Sequence, residues 1–212
     1  MQLNSKQQSL FKGTLFVLLM LPLVRLIWAV LTNHLGPNPV EFITRNTGDW
    51  TLYILALTLA VTPLRRWLNW PFLLKSRRML GLTSFFYATL HWLAFFWFDH
   101  FFDVAEMLAD VLKRPFILVG FTAFLLLMPL ALTSTNKMIK RLGGQRWQLL
   151  HKLVYLIISL GLLHYFWMKA GKHDFAAPAL MTAIVSLLLL TRMVWAGQKW
   201  WQQHRQNGTL TG

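Results

Sequence analysis

Six long apolar stretches constrain this chain more than any other feature. They lie at about 13–31, 50–64, 79–98, 116–132, 149–167 and 175–195. A helix that crosses a bilayer needs about 20 such residues, within a range of about 17–25. Stretches two and four are short by that measure. Hydrocarbon offers no water to pair a backbone N–H or C=O, so a spanning segment is a helix or a strand of a closed barrel. The period-two alternation of barrel strands is absent here. Charged residues make up only 13% of the chain, against about 25% in soluble domains. The pattern predicts an all-α membrane protein, a six-transmembrane-helix bundle.

The charges settle the expected orientation. The net charge is +14. In a soluble protein that would suggest nucleic acid, but here the cations sit between the apolar stretches, in "TPLRRWLNWPFLLKSRR", "NKMIKRLGGQR" and the tail "QKWWQQHRQ". Loops rich in Lys and Arg stay in the cytoplasm. With both termini inside, that side carries 15 of the 21 Lys and Arg. The outer loops carry Arg45, Lys113, Arg114, Lys169 and Lys172, and Arg25 falls within the first stretch. An N-in/C-in, multi-pass protein of the bacterial inner membrane is expected, with lipid and not nucleic acid against its surface. The apolar run after "MQLNSKQQSLFK" is longer than a signal-peptide core and no small-x-small cleavage site follows it, so it reads as an uncleaved first helix.

The chain reads as a single membrane domain over 1–212 with no soluble nucleotide-binding domain. Its non-spanning pieces are too short for one, and Gly143–Gly144 is a loop turn, not a GxGxxG. In "FFDVAEMLADVLKRPF" the apolar residues Val104, Met107, Leu108, Val111 and Leu112 recur at helical spacing, which predicts a short amphipathic surface helix.

Histidine carries the chemistry. His34, His100, His173 and His204 fall in loops, at an interface or in the tail and are read as structural. His91, His151 and His164 lie on stretches three and five. An ionisable side chain within a membrane helix points to function; its alternative is a hydrogen bond between helices. There is no cysteine, so thiolate and iron–sulfur ligation are excluded. No acid lies within a stretch to serve a proton relay. Neutral imidazole suits iron, copper and zinc, and two imidazoles on facing helices suit the axial positions of a haem. His91 lies 14 residues past Arg77 and His164 lies 13 past His151. At 1.5 Å per residue both intervals are roughly 20 Å, so His91 and His164 are expected at one level. Thirteen residues also turn an ideal helix about 140° away from a shared face. Either stretch five is distorted near Gly161, or His151 and His164 serve different directions.

"RRMLGLTSFFYATLH" and "LTSTNKMIKRLGGQRWQLLHKLVYLIISLGLLHY" resemble the MsrQ (YedZ) family. This is the haem-binding membrane subunit of the MsrPQ protein-methionine-sulfoxide reductase system, in the ferric reductase-like transmembrane superfamily. The resemblance runs from "KQQSLFK" through stretch six. It implies haem b, a flavin mononucleotide (FMN), and electron delivery to a periplasmic molybdopterin-dependent methionine sulfoxide reductase that repairs oxidised periplasmic proteins. The electron donor it implies is the quinone pool or a cytosolic flavin reductase. The wider superfamily holds two stacked haems on two histidines from each of spans three and five. Here Arg77 stands at the inner position of span three, which leaves His91 and His164 as the axial pair of one haem and a second haem open. His151 then has three readings: a ligand of a second haem, a contact to flavin or quinone, or a structural hydrogen bond. Arg77 and Arg78 either pair with a propionate or flavin phosphate or anchor the chain at anionic lipid. Arg25 either snorkels or meets a propionate. No catalytic triad or acid/base pair is visible, so catalysis is expected on the partner. The rival readings are a stand-alone ferric or quinone reductase and a non-redox transporter or assembly factor.

Overall fold

The computed structural model describes residues 3–208, with side chains through Gln203, so those of His204 and Arg205 lie outside the described part. All regular structure among these residues is helical. The helices are α1 (Ser5–Leu31), α2 (Pro39–Leu68), α3 (Arg77–Ala94), α4 (Val104–Lys113), α5 (Pro115–Leu132), α6 (Asn136–Leu142), α7 (Gly144–His151), α8 (Leu153–Ala170) and α9 (Ala176–Gly208). Polar side chains start them where the sequence turns polar. Asn4 caps α1 in a reciprocal box with Gln7, Asn38 caps α2, Asp103 caps α4 and Thr135 caps α6. Each cap satisfies one of the four N–H groups that a helix start leaves unpaired.

Five helical segments are long and apolar enough to cross a membrane: Ser5–Leu31, Pro71–Asp99, Pro115–Leu132, Gly144–Ala170 and Ala176–Gln203. The segment expected as the second span lies in α2, which is not among them. It is 30 residues long and starts 11 residues before the apolar stretch at 50–64. Its first turns carry Glu41, Arg45, Asn46 and Asp49. These residues belong to the helix because they are paired or face the interior: Arg45 holds Glu41 at 2.7 Å across one turn. Helix α2 packs against α1, α3, α8 and α9, so a polar stretch on it meets protein on several sides.

Packing locks the helices around this centre. Leu59 and Ile158 are fully buried between α2 and α8. The Tyr87 hydroxyl donates to the Leu19 carbonyl at 2.8 Å and ties α3 to α1. Ser84 donates to Thr51 O at 3.0 Å and ties α3 to α2. Arg192 reaches from α9 to Leu59 O at 2.6 Å and to the Tyr155 hydroxyl at 2.7 Å. Between membrane helices such hydrogen bonds average about 0.6 kcal/mol each, so they fix register more than they add stability.

Two irregularities shape the site. Helix α3 runs on into a π-helical turn at Phe95–Asp99, a feature often found at functional sites. After it, Phe101 and Phe102 take positive φ and the chain reverses into α4. Helix α4 matches the amphipathic segment expected from the sequence: Met107 and Val111 face the protein, while Val104, Leu108 and Leu112 are exposed. The second irregularity bears on the two alternatives left open for His151 and His164. The fifth apolar stretch is broken, but at Lys152, where α7 ends and α8 begins, and not near Gly161, which lies within regular α8. Lys152 itself keeps helical dihedrals, and His151 turns to Ser134 while His164 turns to Phe116, so the two histidines serve different directions, the other alternative the sequence left open.

Candidate functional site

Between α2 and α3 on one side and α5 and α8 on the other, with α4 across one end, lies a cavity of about 610 Å³. Its far end is apolar, with Leu55, Ala88, Leu127 and Ile157. Its α4 end is charged, with Arg45, Asp99, Asp110, Lys113 and Arg114. Aromatic side chains form part of the wall. Trp92 and Phe124 stack with centroids 5.6 Å apart and planes within 11°, and Phe85 continues the stack beyond Phe124.

His91 of α3 and His164 of α8 face each other across this space. Their ring centroids are 6.1 Å apart and their planes are inclined by 72°. The chain separates them by 73 positions, and α2 and α5 hold them. His91 Nδ1 lies 2.8 Å from the Thr44 carbonyl on α2. His164 Nδ1 lies 2.6 Å from the Phe116 carbonyl on α5. A carbonyl only accepts, so each Nδ1 carries the proton and donates it. Each Nε2 is then left with its lone pair free, the form a metal ligand takes when a backbone carbonyl fixes the tautomer.

The same device is built twice in the backbone. Four residues after each accepting carbonyl, one turn along the same helix face, stands a glycine: Gly48 after Thr44 and Gly120 after Phe116. A Cβ at Gly48 would lie 3.0 Å from His91 Cε1 and 3.1 Å from Nδ1. One at Gly120 would lie 2.7 Å from His164 Nδ1 and 2.9 Å from Cε1. Only a residue without Cβ lets the ring come this close to the helix.

These observations test whether a haem fits. Two imidazole–metal bonds of about 2 Å, with about 1.1 Å from each ring centre to Nε2, place the centroids of an axial pair about 6 Å apart. The observed spacing agrees. The tautomers, the apolar floor and the two glycine cradles agree with it as well. A tetrapyrrole has an apolar body and a carboxylate edge, and the cavity has an apolar end and a charged end.

Of the residues singled out in the sequence, the structure brings His91 and His164 together. The others do not line the cavity. His151 closes α7, with Nδ1 2.9 Å from the Trp147 carbonyl, Nε2 3.4 Å from Ser134 Oγ, and its ring stacked on Trp147 at 3.9 Å. Arg77 is half-buried at the start of α3. Arg78 is exposed and donates to Asn136. Arg25 lies on the exposed face of α1. Sequence reading missed Gly48, Gly120, Arg45, Asp49, Trp92 and His100, all of which line the cavity. Asp49, beside Gly48 in α2 and one position before the apolar stretch at 50–64, also lines the cavity. His100, read as structural in a loop, is carried into the cavity by the π-turn. Near the mouth, the Lys172 ammonium hydrogen-bonded to Glu41 holds that carboxyl below its usual range.

Comparison with known proteins agrees with this architecture. The model of the ferric reductase like transmembrane component matches residues 47–162, more than half of the chain. A curated relative from Herminiimonas arsenicoxydans, named protein-methionine-sulfoxide reductase heme-binding subunit MsrQ, is 62% identical over 206 residues, covering 97% of this chain and 93% of its own. Proteins of the same name from Ralstonia nicotianae and Polaromonas naphthalenivorans are 51% identical over 197 residues and 55% identical over 184 residues. They cover 93% and 87% of this chain, and 88% and 84% of their own lengths. With five membrane-length apolar helices and this match across nearly its whole length, the chain belongs to the MsrQ family of multi-pass membrane proteins, within the ferric reductase-like transmembrane group.

Proposed function

We propose that this chain is the haem b electron-transfer subunit of a methionine sulfoxide reductase system in the inner membrane. In this reading it takes electrons from the quinone pool or a cytosolic flavin reductase. It passes them to a periplasmic molybdopterin-dependent reductase, which repairs oxidised proteins. The observation that carries the reading is the pair of imidazoles 6.1 Å apart with both Nδ1 atoms committed to backbone carbonyls. Bound haem supplies a one-electron couple whose potential depends on its axial ligands and burial. The chain's own residues do the rest. His91 and His164 hold the iron, and Thr44 and Phe116 fix their tautomers. Trp92 and Phe124 exclude water from the ring faces. Catalysis belongs to the partner.

The orientation follows from the basic loops. In this reading the loop Thr135–Arg146 and both termini face the cytoplasm, α2 completes a set of six spans, and the α4 end of the cavity faces the periplasm. In a chain without cysteine, single introduced cysteines report this directly. A cysteine at Asp103 is expected to react with an impermeant maleimide in intact spheroplasts, and one at Asn136 only after lysis. The reverse pattern overturns the orientation.

Electron entry is assigned to the opposite end, at His151 with Arg77 and Arg78 and, by family resemblance, FMN. His151 lies roughly 20 Å along the chain from His164, and Leu59, Leu130 and Ile158 are packed in the core of this bundle. It is therefore poorly placed to reach an iron between His91 and His164. The test uses detergent-purified protein. The parent is expected to show a low-spin haem spectrum, to be reduced by quinol or flavin reductase, and to be reoxidised by the periplasmic reductase with oxidised methionine. His151→Ala is expected to keep its dithionite-reducible haem but to slow markedly in reduction by the donor. Loss of all haem would make His151 a ligand or a folding residue. A colourless parent would favour a non-redox role, and reduction of iron chelates without the partner would favour a stand-alone reductase.

A further inference from the structure

We infer that His100 is a binding residue for a carboxylate group of the tetrapyrrole ring, with Arg114 supplying charge beside it; this rests on the haem reading above. His100 lines the cavity and is only 5% exposed. Neither of its ring nitrogens has a hydrogen-bond partner among the described residues. A buried polar group in that state is uncommon, because it has given up water and gained nothing.

The surrounding groups explain why no protein partner fills the role. Asp110 Oδ2 lies 3.5 Å from His100 Nε2 without hydrogen-bond geometry. Its carboxylate is already engaged by Arg114 Nε at 2.8 Å. The ring is pinned edge-on against Phe95 at 4.7 Å, and its backbone position is set by the π-turn. A second buried donor in the same cavity, Trp92 Nε1, is also without a partner. Unpartnered donors here call for an acceptor that enters with the ligand.

Charge and polarity select the acceptor. The far end of the cavity is apolar and the His100 end holds Arg45, Lys113 and Arg114. A guanidinium has five donors, so Arg114 keeps several beyond the one given to Asp110. The acids at this end work against an incoming carboxylate, but unequally. Asp110 is neutralised by Arg114, and Asp99 and Glu106 are exposed to water, which screens them. Asp49 also opens to a second cleft beside Asn38 and Asn46. The buried ring nitrogens left without a partner are those of His100 and Trp92. A ring with one apolar edge and one carboxylate edge therefore enters with its carboxylates toward His100. His100 binds the ring's edge and is not an axial ligand.

The test compares haem with its dimethyl ester in the full-length protein, read as the rate of haem transfer to apomyoglobin. With haem, His100→Phe keeps the ring stack but lacks donors. It is expected to release haem about tenfold faster, the order of one charge-assisted hydrogen bond, at an unchanged low-spin spectrum. His100→Gln, which retains a donor, is expected to stay close to the parent. With the dimethyl ester, which also loses the charge that Arg114 meets, the parent should release at least as fast as the Phe variant does with haem, and the substitution should add nothing further. His100→Ala serves the same cycle if the Phe variant does not accumulate. An equal effect of the substitution on haem and ester, or no effect on either, overturns the inference. So does a change to a high-spin spectrum, which would make His100 an iron ligand. A parent that takes up neither form sinks the haem reading itself.

Discussion

His91→Ala and His164→Ala, made separately, are each expected to lose at least nine-tenths of the bound haem. Removing an outer-sphere partner of a metal ligand already costs about 10–100-fold in metal affinity, and these substitutions remove the ligand. Any residual haem should be five-coordinate and high-spin. Misfolding is the competing explanation, because either alanine leaves a void beside the cavity. Exogenous imidazole separates the two. It fits the space left by the side chain and should restore a low-spin spectrum in a folded variant. Leu163→Ala, at the exposed neighbour of His164, should leave haem content unchanged. A variant that keeps full haem and the parent spectrum would show that its histidine is not an axial ligand.

The second large effect is expected from Gly120→Ala. Alanine replaces glycine within a helix with a gain of about 0.5–1 kcal/mol when nothing is in the way. Here the new Cβ would meet the His164 ring at 2.7–3.0 Å, well inside ordinary van der Waals contact. Either α5 moves away from α8 or the imidazole turns, and both disturb the 2.6 Å bond to the Phe116 carbonyl. Haem content is expected to fall about tenfold, the low end of the cost of losing a ligand's supporting partner. Gly48→Ala should show the same defect more weakly, since its contacts with His91 start at 3.0 Å. Gly81→Ala is the control, with nothing within 4 Å of its Cβ. Measuring haem per protein and the low-spin band positions decides the matter. If Gly120→Ala gains stability and keeps both at parent values, the cradle has no role in holding the ligand.

These two predictions differ in how they could be reached. His91 and His164 were legible in the sequence, because an imidazole within an apolar run is conspicuous and the helical rise of 1.5 Å per residue turns sequence position into depth. Gly48 and Gly120 carried no comparable signal. A glycine in an apolar helix has many uses, and its spacing from Thr44 or Phe116 means nothing until the partner histidine is known. Their contacts span 43 and 44 positions of the chain, beyond the reach of any local pattern.

What the sequence alone determined is what depends on neighbours along the chain: the apolar helices, the short amphipathic helix at Val104–Lys113, the asymmetry of basic loops and the expected matched levels of two histidines. The first turns of α2 escaped it. Glu41, Arg45 and Asp49 look like loop residues when averaged over a window, yet they are helical because their charges are paired or turned toward the cavity. Only the tertiary structure decided that α2 and α5 present a bare backbone to the two imidazoles, that the chain breaks at Lys152 and not at Gly161, and that a π-turn carries His100 inside. The physical reason is common to all three. Helix formation is set by backbone bonds four residues apart, whereas the cavity is set by how closely non-adjacent helices approach, and that distance is fixed by side-chain volume at contacts the linear sequence does not pair.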